Sequence, residues 1–464
     1  MREKISRRDF LRWGALAMGG VALASCAPQA TPTTAPAAEK EAEPQVEAQP
    51  APAEGVTLEF WAGWGHFARV WEDLQALDEF EELLGNNTVE LKTAFGAEVL
   101  LTAVAGGTPP DAASNVAYLD YYARGVLLPV GDLVSLSSII RKEGFLEGNW
   151  ENGFWEGVQY GVPGIEGFVR YALCYNGRLV EAAGLDPDEP PTTWEECLEW
   201  HQKLTEFDSA GNLIRVGLDP YDAMGGSIDF ANGFFASMSW GFDWFDEDAG
   251  SFNLANDMMA EAFEVMGEFY RIAGPDNMAA MRQVDGQGMW GGSINTEVQA
   301  MIIDGNWFPG LRANEKPEVA EHVRVNWAPV PSARKGAKVQ GYGGHYILLF
   351  SDAQHPVEAF KIAEFVNTAA ACEVIFTGLG FLPASRPALE KIDPTAYNGL
   401  EFFFRSLDEA TDWHTPAGCP MTAYVQTQYT ELREAVYRDE MTGSQAAEEF
   451  QRRCESEYKA AGFA

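Results

Sequence analysis

"VTLEFWAGWGHFARVWEDLQALDEFEELLGNNTVELKT", residues 56–93, is the stretch whose reading decides the fold. Val56, Leu58 and Phe60 alternate with Thr57 and Glu59, the period of a half-buried strand. Phe67, Val70, Trp71, Leu74, Leu77 and Phe80 then recur at helical spacing, and Gly85 stops the run. The chain returns at 89–93 as a second strand. A strand, a glycine-containing loop, a helix and a strand begin an α/β unit. In sheets of that class the loops at the carboxyl ends of the strands meet the ligand. Trp61, Trp64 and His66, in the loop "WAGWGH", stand there.

The pattern continues along the chain. Gly106, Gly107, Pro109 and Pro110 break a helix, and 111–116 reads as a short strand leading out to Asn115 and Tyr118. Tyr118, Tyr122 and Leu127 resume a helical pattern. Residues 157–176 mix glycines and a proline with an apolar run, the composition of a crossing between two lobes. Thr193 with Glu196 forms a capping box, in which side chains satisfy the orphan amides of a helix start. "FDSAGNL", 207–213, is a polar turn that lacks the alternating acids of a calcium loop. Residues 343–350 read as a strand. Pro356 opens a helix with Val357, Phe360, Ile362 and Phe365 toward a core. Residues 432–441 read as helix, and Thr442 with Gln445 starts the last one.

The amino end carries an address. Arg2, Lys4, Arg7, Arg8 and Arg12 precede a mild apolar run at 13–25, too short to span a bilayer. Ser6-Arg7-Arg8-Asp9-Phe10-Leu11 resembles the twin-arginine export motif, and Leu23-Ala24-Ser25-Cys26 resembles a lipobox, whose cysteine becomes a lipidated amino terminus. Residues 1–25 are thus read as signal peptide. Residues 26–54, rich in Ala, Pro, Glu and Gln, have almost nothing to bury and read as an unfolded tether.

Composition narrows the rest. The chain has 464 residues, of which about 410 follow the tether, more than one ordinary core accommodates, so two lobes are expected. The net charge is −37, with 69 acidic and 32 basic residues, which argues against nucleic-acid binding. Fourteen tryptophans, 28 phenylalanines and 15 tyrosines are a heavy aromatic load, most of it expected in the core and any surplus available to line a cleft. With Cys26 lipidated, Cys174, Cys197, Cys372, Cys419 and Cys454 remain. Their odd number leaves at least one unpaired, and the spacing names neither a disulfide nor a metal site. No cofactor or metal is expected.

Taken in order, "VTLEFWAGWG", "AGGTPPDAA", "GVLLPVGDL", "YGVP" with "ALCYN", "AGLDPDEPPTTWEE", "GNW", "WAPVPSARKG", "GGHYILLF" and "TGSQAAEEF" resemble the family 1 extracellular solute-binding proteins, maltose-binding-protein-like receptors of ABC-type sugar importers. The resemblance covers residues 56 to about 458. It implies a type II periplasmic binding fold: two discontinuous α/β lobes joined by a hinge, with the ligand cleft between them. The implied crossings lie near 163–170, 342–346 and 393–399. The first lobe would hold 55–165 and 345–395, and the second 166–344 and 396–464. The implied partners are a small carbohydrate, the permease subunits of the importer, and the membrane through Cys26. The implied protein is extracytoplasmic, a monomer and not an enzyme.

The same resemblance nominates site residues. Asn306 and Trp307 lie in "GNW", where the family stacks an aromatic ring on sugar. Trp61, Trp64 and His66 divide between pocket and packing. Asp111 matches a family aspartate near the cleft or caps a turn. Asn115 and Tyr118 sit where the first lobe meets ligand. Glu166 and Arg170 lie at a crossing, as ligand contacts or as a surface ion pair. Trp240 divides between site and core. Gly343, Gly344 and His345 let backbone approach the ligand or serve a hinge, and Trp413 and Tyr424 complete the set. Two rivals stay open on sequence: a lipid-anchored glycoside hydrolase, for which 69 acids could supply a carboxylate pair, and the same fold holding a polyamine, metal or peptide. No nucleophile elbow, HExxH or phosphate loop favours the enzyme.

Overall fold

The computed structural model describes residues 55–116, 118–226, 234–282 and 292–463. The signal, the tether and Cys26 lie outside the described residues. Alternation in the first strand, Thr57–Ala62, buries Leu58 and Phe60 and exposes Thr57 and Glu59. It pairs in parallel with Thr88–Thr93 on one side and Ala112–Ser114 on the other. Ala112–Ser114 pairs antiparallel with the long strand Val339–Leu349, which also carries Gly161–Val169 and, at its start, Asp412–His414.

A second sheet runs in the order Val323–Asn326, Ala172–Asn176, Gln299–Asp304, Leu213–Leu218 and Glu206–Phe207. Its strands Ala172–Asn176 and Gln299–Asp304 are fully buried, as expected at the centre of a sheet covered on both faces. Gly161–Val169 passes through Arg170 and Tyr171 straight into Ala172–Asn176, so the chain leaves one sheet for the other within two residues. The return strand Val339–Leu349 is bonded to it from Tyr342↔Val169 to Leu348↔Gly161. The register slips between Gly344 and His345, where Gly164 and Gly167 become their partners and Ile165 takes φ 64°. A β-branched residue in the left-handed region is costly, and this bulge re-aims Glu166. Beyond 399 the helix Leu400–Glu409 packs on the second sheet. The helices Asp257–Ala273, Thr422–Tyr437 and Gly443–Ala460 pack together behind it. Among the described residues no single helix is long and apolar enough to cross a membrane.

Several expectations need correction. The helix expected from Phe67 to Gly85 is three pieces, Gly65–Arg69, Trp71–Gln75 and Asp78–Leu84, because Leu77 is extended (φ −74°, ψ 142°). The breaks let Phe67, Trp71 and Phe80 meet Phe60 and Phe365 at centroid distances of 5.1–6.2 Å. The helix expected at 432–441 is Thr422–Tyr437, since Asp439 turns left-handed (φ 59°). Val357 faces water, 57% exposed, while Phe360, Ile362 and Phe365 are buried. Both capping boxes form, at Thr193–Glu196 and Thr442–Gln445. The cysteines from Cys174 onward are all free and buried. Burial pushes the thiols of Cys372 and Cys419 up to about 12.

Candidate functional site at the junction of the two sheets

The carboxyl ends of the parallel strands converge on the crossing strands. On the first sheet Ala62 and Ser114 are register partners, and the chain beyond them presents Trp64, His66 and Asn115. On the second, Gln299–Asp304 ends in Gly305, Asn306 and Trp307, which enter the helix Phe308–Glu315. A third segment arrives from the helix Ala369–Leu379, capped by Gly380 in the left-handed region, and delivers Phe381.

These segments form one aromatic run. His66 packs on Trp64 at 4.5 Å, Trp64 on Phe381 at 4.6 Å, and Phe381 on the edge of Trp307 at 6.0 Å. His345, from the return strand, meets Phe381 edge-on at 5.3 Å, and the Arg170 guanidinium lies 5.2 Å from the Trp307 ring centre. Two glycines make room. A Cβ on Gly305 would lie 2.5 Å from the Trp307 indole, and one on Gly380 would lie 2.6 Å from the Leu311 nitrogen.

Beneath the rings runs a buried polar network. Glu166 pairs with Arg170, and its second oxygen accepts from Asn306 Nδ2 at 2.9 Å. Asn306 also donates to the Val169 carbonyl at 3.1 Å and accepts from the Leu382 amide at 3.1 Å. One asparagine thus ties the second sheet to a crossing strand and to the segment bearing Phe381. Burial pushes the Glu166 carboxyl up, against Arg170 and Asn306, which hold it down. Burial, with Arg170 beside it, drives the His345 imidazole well below the ordinary histidine range. Burial and Arg69 lower His66, while Glu315 opposes them. Among the described residues, His66 Nδ1 and Ser114 Oγ, buried near the strand ends, have no hydrogen-bond partner. The arrangement offers flat apolar faces beside unsatisfied polar atoms, and it suits holding a molecule with both kinds of surface.

The sequence profile of the bacterial extracellular solute-binding proteins matches residues 70–371, well over half of the chain. The chain belongs to this family. Its members bind a solute rather than turn it over. Among solved structures, the chain is similar to CpMnBP1 with mannotriose bound (TM-score 0.74, 20% identity, covering 86% of this chain and 99% of that one). It is also similar to an ABC substrate-binding protein from Listeria monocytogenes in complex with cycloalternan (TM-score 0.69, 19% identity, 89% and 100% covered). A third is the maltose/maltodextrin-binding domain MalE from Bdellovibrio bacteriovorus bound to maltotriose (TM-score 0.65, 17% identity, 87% and 100% covered). These likenesses establish the fold as two α/β lobes of the type II periplasmic binding class. No curated protein sequence matches the chain.

Within this solute-binding protein the nominated residues separate. Trp64, His66, Glu166, Arg170, Asn306, Trp307 and His345 come together at the junction, with Asn115 at its edge in a left-handed conformation (φ 53°). Trp61 does not join them. It is still inside the strand, so alternation turns it to the opposite face. There Lys92 lies 3.5 Å over its ring and Nε1 donates to Glu59. Asp111 sits at the entrance of Ala112–Ser114, the wrong end of the sheet, and accepts from the amides of Glu59 (2.9 Å) and His355 (3.3 Å). Tyr118 is core: its hydroxyl donates to the Gly153 carbonyl at 3.1 Å.

Trp240 stacks on Trp194 at 5.6 Å inside the second lobe. Gly343 and Gly344 are strand partners of Phe168 and Gly167; the Gly343 carbonyl also accepts from Asn149 Nδ2, and a Cβ on Gly344 would lie 3.0 Å from the Glu166 carbonyl. Trp413 stacks on Tyr342 at 4.6 Å beside the start of the return strand, 37% exposed and apart from the cluster. Tyr424 faces the last helix near Cys454 and Glu457. The Glu166–Arg170 pair is buried rather than on the surface. Sequence reasoning missed Phe381 and Ser114. Ser114 could have been found as the last residue of its strand; Phe381 follows a helix and carries no motif.

Proposed function

We propose that this chain is the extracytoplasmic receptor of an ABC importer and that its solute is a carbohydrate of oligosaccharide size. The lobes, 55–165 with 345–395 and 166–344 with 396–464, close over the sugar about the crossing strands and present the closed shape to the permease. The observation that carries the reading is the run His66–Trp64–Phe381–Trp307 at the junction of the sheets, beside the unpaired His66 Nδ1 and Ser114 Oγ. A pyranose has an apolar C–H face and a polar rim. Burying an unpaired hydroxyl costs about 1–3 kcal/mol, so a sugar site needs flat rings and polar atoms together. The sugars bound by the similar structures support the same class of ligand.

In this reading Trp64, His66, Asn115, Trp307 and His345 contact the solute, with Ser114 and Phe381 added. Cys26, lipidated after loss of 1–25, anchors a monomer to the outer face of the membrane, and 26–54 is its tether. Two signals or more than one acyl chain are needed for stable anchoring, which a lipoprotein terminus supplies.

Titration calorimetry with mannotriose, maltotriose, spermidine and ferric ion tests the ligand class. Heat of binding is expected with a saccharide alone, and Trp307→Ala is expected to weaken it by about tenfold or more, roughly 1.4 kcal/mol. Binding only to spermidine or ferric ion would replace the sugar with another solute. Unchanged affinity in Trp307→Ala would move the site elsewhere.

A further inference from the structure

The helix Phe308–Glu315 starts at Trp307 and ends against the opposite lobe. Along its length it makes three contacts with first-lobe segments. A Cβ on Gly310 would lie 2.5 Å from Gly380 Cα, so the two backbones meet directly. Asn314 Nδ2 donates to the Thr377 carbonyl at 2.7 Å. At the end, Glu315 Oε1 accepts from Arg69 Nη1 at 2.8 Å and faces His66 Nε2 at 3.7 Å. Its other oxygen accepts from Arg312 Nη2 (2.9 Å) and Asn295 Nδ2 (2.8 Å), both in its own lobe. The Glu315 side chain is 11% exposed with Arg69 in place, and Arg312, its partner within the same helix, is fully buried. Fixed partners on one side remove the side-chain ordering cost that makes most exposed ion pairs nearly worthless.

We propose that Glu315 is a cross-lobe clamp: through Arg69 it grips the segment that carries Trp64 and His66 and holds the cleft shut. The inference rests on the two lobes being hinged, as proposed above. Closure brings a pre-formed acceptor to an arginine that is 43% exposed. A ligand then needs less differential affinity to keep the closed form populated, because the clamp supplies part of the bias.

Small-angle scattering of the Cys26→Ser protein, which carries no lipid, tests the clamp without any sugar. Arg69→Glu and Glu315→Arg are each expected to raise the radius of gyration, and Arg69→Lys, which keeps the charge, to hold the parent value. Arg69→Glu leaves Arg312 its partner, so this variant keeps the test valid if Glu315→Arg fails to fold. Gly310→Leu, a wedge between the lobes, is the control for the hinge. Expansion by the wedge with none from Arg69→Glu overturns the clamp and leaves the hinge standing. Expansion by neither overturns both, and expansion by Arg69→Lys as large as by Arg69→Glu overturns the clamp. Absence of sugar binding would appear in calorimetry alone and leave this result untouched.

Discussion

His201 shows how one buried side chain sets a response of the whole protein. It is fully buried, packs edge-on against Phe269 at 4.9 Å, and its Nδ1 accepts from the Leu218 amide at 3.1 Å. Burial lowers it from 6.5 to about 4. On acidification the unfolded chain takes up this proton first, so stability falls as pH drops from about 6.5 toward 4, by up to about 3 kcal/mol. His345, lowered in the same sense, adds to the effect. Melting temperatures followed from pH 7.5 down to 5 should therefore decline. His201→Asn, which keeps an acceptor without the titration, should start lower and decline less. An equal slope in both proteins would remove His201 as the cause. The site itself was partly legible at this scale. "WAGWGH" was visible as indoles beside glycines after a strand and "GNW" through the family resemblance, whereas Glu315 and Phe381 are ordinary residues until folding brings them to the lobe boundary.

At the scale of elements, local chemistry decides where helices begin. The helix Trp194–Leu204 starts from Thr193, whose hydroxyl accepts from the Glu196 amide at 3.3 Å, while Glu196 accepts from the amides of Thr192 and Thr193. Lys335 and the Thr192 amide hold the Glu196 carboxyl down at about 2. Thr193→Ala should cost about 1 kcal/mol. In urea unfolding this reads as a lower midpoint with unchanged slope, and an unchanged midpoint would deny the cap its role. Caps and strand alternation were readable because they depend on neighbours within a few residues. The breaks at Leu77 and the bulge at Ile165 were not, for they are imposed by Phe365 and by the return strand, hundreds of residues away.

For the whole molecule, charge is the dominant global term. A net charge of −37 makes the compact state repel itself. Raising salt from about 0.01 to 0.1 M shortens the screening length from about 30 to 10 Å, so the melting temperature should rise. A fall would mean that ion pairs such as Arg69–Glu315 outweigh the repulsion.

By itself the sequence determined the α/β class, the opening strands and several helix starts, the acidic character and the motifs that mark the family, because periodicity, caps and composition act locally or by sum. Only the tertiary structure decided which tryptophans reach the junction. Trp61 and Trp64 stand only three residues apart, yet the face of a strand hides the first in the core and the end of the strand delivers the second to the junction. The partners of a side chain across two lobes depend on how separately folded segments meet, and no local pattern carries that.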